Sequence, residues 1–484
     1  MCRANKFRRF RRHGSKGEGP ESIFQLFILG HPLLSNTMKK SFTIICFLFF
    51  TTCFTHAQIL EELLEQAETN YPLLKAKGFE IQAGRDQLLF AKSAAMPSLD
   101  ATYQVNYATQ NNITGMAVTE GFVPISGPPS AGNDYTGVFG SAGGFLLNWE
   151  PFTFGQRKSN IESAKAYVEY QEADAAQEIF QHQVRTANAY LDVVMAEELI
   201  KVYSKNLERA KENLRIVRSL TLSGLRPGVD TALFNAELSR ARIELLNYQK
   251  LKETQQLLLS ELLGGSRDEF LIDSSYFKKL PVIRERNEPN DHPLIALSAS
   301  RVKINQYEKT ALQRTLNPTL SLWGTAYARG SGIRYDGYIN AQDGLSFTRY
   351  NYGAGLVLSV PLLRFTHVRH QVNEQEALIH AAQESLNFVT LQLEKQNEVA
   401  NVTLENALEI AHESPRFLQS AEFGYRTLLS RYNSGLVNYA DLVQAQYTLI
   451  RGEVDFKKSY LDAWKALLFK AAVEGDLQIF LNQL

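Results

Sequence analysis

Two aspartates stand at matching places in the chain and are the first residues whose position could carry chemistry. Asp230 follows Ser223, Gly224 and Leu225, and Asp441 follows Ser434, Gly435 and Leu436, at a constant offset of 211 residues. A glycine there lets a helix end in positive φ so that the chain can reverse. A carboxylate just beyond, at the start of a return helix, can accept from free backbone N–H groups. Capping alone accounts for either aspartate. His367, His370 and His380 are the other candidates, but they lack a companion carboxylate in a defined site, so they read as wall or surface histidines and no metal is expected. There is no Gly-rich phosphate loop and no nucleophile elbow. Cys2, Cys46 and Cys53 all precede Ala57. The chain therefore does not read as an enzyme, and no cofactor is expected.

The elements that carry these residues are unusually long. From Gln156 to Ser223 the chain runs 68 residues without Gly or Pro, which as one helix would be roughly 100 Å long. No compact domain houses that. Val184, Ala187, Leu191 and Val194, then Leu207, Ala210, Leu214 and Val217, step by 3, 4, 3, the spacing of a coiled-coil seam. A second Gly-free stretch, Leu362 to Phe423, carries Leu386, Val389, Leu393, Gln396, Ala400, Thr403, Ala407 and Ile410 in the same rhythm. Pro415 interrupts it and should kink it. Two such helices call for a device that spans distance.

With 44% hydrophobic and 21% charged residues the chain is not disordered on composition. Residues 1–37 hold seven basic residues against Glu18 and Glu21 and read as an upstream extension, with Met38 as the true start. Lys39 and Lys40, an apolar run from Phe42 to Phe54, and Thr55-His56-Ala57 read as a secretory signal peptide over 38–57, too short in its apolar part to span a bilayer. Lipidation at Cys53 is the rival reading; Thr51 and Thr52 stand where a lipobox wants a small residue after an aliphatic one. Cleavage after Ala57 leaves 42 basic and 49 acidic residues and no cysteine. Nucleic acid is then not an expected partner, and an exported chain without disulfides depends on packing or oligomerisation.

The chain is written twice. Tyr71-Pro72-Leu73 and Pro97-Ser98-Leu99 recur as His292-Pro293-Leu294 and Pro318-Thr319-Leu320 at an offset of 221, and Gly264 recurs as Gly475 at the offset of the two turns. Each half reads as helix, strand, loop, strand, long helix, turn, helix. The first half spans 58–264, with a helix from Ile59 to about Ala95, a hairpin over about 98–149 and a turn over about 221–230. In its first strand Leu99, Ala101, Tyr103, Val105 and Tyr107 alternate with Asp100, Thr102, Gln104 and Asn106, giving one apolar and one polar face. Residues 108–141 read as loop and Gly143 to Trp149 as the return strand, meeting Pro151 where the long helix starts. An irregular segment follows over 265–290. The second half spans 291–484, with strands over 319–327 and 352–360 inside a hairpin at about 319–360, and a turn at about 432–441. Four strands are too few to close a membrane barrel, since the smallest have about eight, and an open edge in lipid costs several kcal/mol per unpaired group. Other subunits must complete the sheet; two copies or three would do so.

Together these features resemble the TolC-type outer-membrane efflux channels. The most specific stretch is Arg431-Tyr432-Asn433-Ser434-Gly435-Leu436-Val437-Asn438-Tyr439-Ala440-Asp441-Leu442, followed by Ala445 and Gln446. Its counterpart runs from Gly224 to Asp230, and Trp149, Pro151, Phe152, Phe154, Gly155 and Arg157 resemble the family's strand-to-helix junction. The resemblance implies a mainly helical α+β fold in two tandem repeats. Three copies would form a twelve-stranded outer-membrane barrel continuing into a twelve-helix periplasmic tunnel, and an inner-membrane pump and a periplasmic adaptor would dock at its end. It further implies that Gly224, Leu225, Gly435, Leu436 and Val437 form an exposed adaptor-contact tip, that Asp441 lines a constriction with Gln444 one turn on, and that Tyr432 bonds Asp230 to keep the end shut. Arg226 would stand in for an arginine that Val437 replaces on the second turn. The function implied is a passive efflux or secretion conduit; an elongated coiled-coil structural or adhesin protein of the envelope is the alternative.

Overall fold

The structure, a computed structural model, describes residues 58–112, 129–265, 272–283 and 292–483. The upstream extension, the signal peptide and Cys53 lie outside the described residues, as do parts of the 108–141 loop and of the 265–290 segment. The described chain runs α1 (Gln58–Asn70), α2 (Pro72–Ser93), β1 (Ser98–Ala108), β2 (Val138–Phe152), α3 (Gln156–Leu222), α4 (Gly228–Leu262), α5 (Pro293–Arg314), β3 (Thr319–Ser331), β4 (Arg349–Ser359), α6 (Phe365–Asn433), α7 (Tyr439–Glu474) and α8 (Gln478–Leu481). Among the described residues no helix is long and apolar enough to cross a membrane.

Helices α3 and α6 have 67 and 69 residues. The α3 seam packs as its spacing predicts, with Ala187, Leu191, Val194, Ala210, Leu214 and Val217 buried. The α6 seam does not stay where the sequence puts it. Leu393 and Ala400 are buried, but the burial then passes to Leu404 and Ala411, while Thr403 and Ile410 face outward. An undistorted helix drifts about 20° per heptad against a 3.5-residue repeat, which moves the contact line off a strict heptad. Helix α6 is continuous through Pro415. Proline removes the bond to the carbonyl four residues back, that of Ala411. The Ser414 hydroxyl donates to that oxygen at 3.2 Å, and Ser459 of α7 donates to Ser414 Oγ at 2.8 Å.

The first helix predicted from Ile59 to Ala95 is in fact two, parted at Tyr71 before Pro72. The equivalent His292 caps α5: its Nδ1 accepts from Leu294 N–H at 3.0 Å, and its Nε2 donates to Ala472 O at 3.2 Å. At the far end of each pair the repeated glycine closes against these entries. Gly264 (φ +90°) abuts Asn70 and Gly475 (φ +73°) abuts His292, with no room for a Cβ at either. Around this level lies the larger core, where Trp464 Nε1 donates to Tyr276 O at 3.0 Å and Lys279 O at 3.1 Å. Gln483 pairs with both backbone groups of Val282 at 2.7 and 2.9 Å.

The four strands form one antiparallel sheet in chain order, so β1 and β4 are free edges. Strands β2 and β3 are longer than the predicted 143–149 and 319–327, because the Gly-rich start of β2 hides its alternation from the sequence. Pro151 lies in the end of β2, beside a register shift between Trp149 and Phe152, rather than at a helix start; α3 begins only at Gln156 after Gly155 at φ +99°. The register divides the sheet into two faces. One carries Leu99, Leu147, Phe145, Tyr103, Tyr350, Tyr352 and Leu356; the other Asp100, Thr102, Gln104, Asn351, Arg329 and Arg349, with Trp323 lying over Gly355. The apolar face is largely bare: Tyr352 is 93% and Leu356 69% exposed.

Candidate functional site

Both Gly-Leu turns close in the same way. Leu225 N–H donates to Leu220 O at 2.9 Å and Gly224 N–H to Thr221 O at 3.0 Å; Leu436 N–H donates to Arg431 O at 2.9 Å and Gly435 N–H to Tyr432 O at 3.0 Å. These are six-to-one and five-to-two closures with the glycine left-handed, at φ +72° and +78°. Leu225 and Leu436 project into solvent, 71% and 75% exposed. Val437 does not join them. It is half-buried against the cluster of Phe234, Tyr432 and Leu442.

Neither aspartate is the capping residue. On α7 the N-cap is Asn438, whose Oδ1 accepts from Asp441 N–H at 3.0 Å. On α4 it is Pro227, with no side-chain cap. Each aspartate sits one turn into its helix, and the two point different ways. Asp230 is buried, and its Oδ2 accepts from the Tyr432 hydroxyl at 2.8 Å. Asp441 is exposed, as is Gln444 one turn further along the same face, while Leu442 and Val443 between them are buried.

Arg226 completes the buried side. Its Nη2 donates to Tyr432 O at 2.6 Å and Val437 O at 3.0 Å, and its guanidinium lies 4.2 Å from the Tyr432 ring centre. Arginine thus binds the end of α6 and the start of the second turn at once. Tyr432 is 1% exposed and packs its ring against Phe234. Burial, and then the Asp230 carboxylate, push its hydroxyl well above the ordinary tyrosine value. It remains a donor across the physiological range.

Above the tip, polar groups link α3, α6 and α7. Asn213 Nδ2 donates to Tyr425 OH and Gln446 Oε1, both at 3.2 Å, and Gln446 Nε2 donates to Asn206 Oδ1 at 3.2 Å. Arg209 holds Glu453 through two bonds of 2.9 and 2.6 Å. Sequence reasoning missed this ladder apart from Gln446. Its signal was available: Asn206 and Asn213 are seven apart, flanking the apolar seam. His367, His370 and His380 are exposed along α6, and among the described residues no group of three metal-ligating side chains gathers.

Residues 63–265 match the family model described as outer membrane efflux protein. The pyoverdine export outer membrane protein OpmQ of Pseudomonas aeruginosa is 21% identical over 397 residues, covering 81% of this chain and 79% of that protein. The fold is shared with the outer membrane protein VceC of Vibrio cholerae, at TM-score 0.69, 16% identity, and coverage of 87% of this chain and 97% of that one. It is shared also with the CmeC outer membrane channel of Campylobacter jejuni, at TM-score 0.68 and 16% identity, covering 86% and 85%. By the family match over residues 63–265 and by the shared fold, the chain is similar to outer-membrane efflux proteins of the TolC type.

Proposed function

We propose that the protein is the outer-membrane duct of an efflux or secretion system, and that three copies share one pore. The observation that carries this is the sheet: four strands, two free edges and a bare apolar face, joined to helices about 100 Å long. An eleven-residue strand such as β1 is about 37 Å long, and tilted by about 45° it stands about 26 Å tall, the height of the apolar band of a membrane barrel. Edge pairing between copies satisfies the backbone that lipid cannot. Three copies give twelve strands, with the polar face lining the pore and the hairpin loops outside the cell. The helices continue the pore into the periplasm.

At the periplasmic end Asp230, Tyr432 and Arg226 hold two helix pairs together and act as a latch on the closed tip. Asp441, with Gln444 behind it, lines the constriction, and three copies form an acidic ring that favours cations. Leu225 and Leu436 are the apolar knobs offered to a periplasmic adaptor, through which an inner-membrane pump supplies energy and selects cargo. A conduit needs no reaction centre. Reconstitution in planar bilayers tests the reading: pores with a cation preference that falls in Asp441→Ala support it, and an unchanged reversal potential removes the ring.

A further inference from the structure

The polar face of the sheet carries a charge arrangement that the tip does not use. Gln104, Ala142, Arg329 and Arg349 stand opposite one another in a single row across β1 to β4. Two arginines are thus direct cross-strand neighbours. Like charges so placed destabilise a sheet, and a guanidinium cannot shed its proton. Among the described residues no carboxylate pairs with either arginine. Acids of the strands lie toward the helical end: Asp100 is four residues inward along β1, roughly 13 Å, and Glu150 is farther still. The loop acids are engaged elsewhere. Asp134 and Asp336 accept from Thr136 and Tyr338 N–H groups, and Asp343 accepts from Asn340 and faces Arg334 at 3.7 Å.

We propose that Arg329 and Arg349 form an oxyanion-binding collar just inside the outer mouth of the pore. This rests on the trimeric-channel reading above. Six guanidinium groups then ring the exit, at the opposite end from the acidic ring of Asp441. The planar fork of arginine matches the paired oxygens of a carboxylate, sulfate or phosphate group. The repulsion between neighbouring arginines is relieved when such an anion bridges them. Gln104 in the same row offers further amide donors. The collar draws anionic solutes toward the exit, and the acidic ring draws cations at the entrance.

The test uses full-length protein extracted from membranes and reconstituted in planar bilayers, with inorganic sulfate added on the hairpin-loop side. Sulfate should depress the potassium chloride current. R329Q/R349Q should weaken that block about tenfold and raise the preference for potassium over chloride about threefold. R329K/R349K should keep the ion preference but lose part of the sulfate block, since lysine retains charge without the fork. Arg334→Gln, on the outer loop, should change neither. The collar is overturned if R329Q/R349Q conducts with the original reversal potential and block, or if Arg334→Gln alone reproduces the loss. A wild-type protein that forms no pores instead removes the channel reading beneath it, a distinct outcome.

Discussion

The two Gly-Leu turns have one backbone and two chemistries. Both end a helix of nearly seventy residues with the same pair of main-chain bonds around a left-handed glycine, and both place an aspartate one turn into the return helix. The first turn buries its aspartate under Tyr432 and spends its arginine on the backbone of the second. The second leaves its aspartate in solvent and has Val437 where the arginine would be, tucked against Phe234 and Tyr432. The two turns share a geometry and differ in their aspartates: one is buried and accepts from the Tyr432 hydroxyl, and the other stands in solvent.

That contrast is broken most severely at Asp230. Asp230→Ala leaves the 1% exposed Tyr432 hydroxyl without its acceptor, an unpaired buried donor costing about 1–3 kcal/mol. Hydrogen exchange at the end of α6 should quicken and closed-state leak should rise; an unaltered exchange rate would show that the bond holds nothing. Arg226→Ala removes two carbonyl bonds and a ring contact, worth together about 1–3 kcal/mol, and should raise leak nearly as much. If leak does not move, the arginine is ornamental. Tyr432→Phe keeps the packed ring but leaves the buried Asp230 carboxylate without its donor, so leak should rise by a similar amount. Asp441→Ala sharpens the comparison from the other side: midpoint temperature should stay within about 1 °C, as for an exposed site, while the reversal potential shifts. A fall in stability without a shift would reverse the assigned roles.

The smallest effect concerns pH. Tyr432 keeps its proton in the folded tip to a higher pH than in the unfolded chain. Its stabilising bond is therefore fully present below the ordinary tyrosine value near 10 and lost as pH rises beyond it toward the raised folded value. Leak should be flat from about pH 7 to 9 and climb only in stronger alkali. A rise within that flat range, absent in Tyr432→Phe, would contradict the shift.

Much of the architecture could be read from residue spacing, because long helices and glycine turns leave local marks. The absence of Gly and Pro after Gly155 predicts α3 nearly to its last residue, and the alternation from Leu99 to Tyr107 predicts β1 with its two faces. Less local features were hidden. The glycines of β2 interrupt its alternation, so its true start at Val138 did not show. The drift of a straight helix moved the α6 contact line to Leu404 and Ala411. At the tip, the residues that meet were legible but their postures were not. Asn438 takes the cap that proximity assigned to Asp441, because its side chain stands before the first turn of α7. The ladder of Asn206, Asn213, Tyr425 and Gln446 depends on register between helices more than 200 residues apart, which no local pattern states.

The claim on which the rest depends is that the free edges of the sheet are closed by other copies. The mass of the detergent-purified protein, measured by light scattering with the detergent contribution removed, tests it most directly. Three chains per particle is the result expected of a shared twelve-stranded pore; a stable single chain, soluble without detergent, would contradict it.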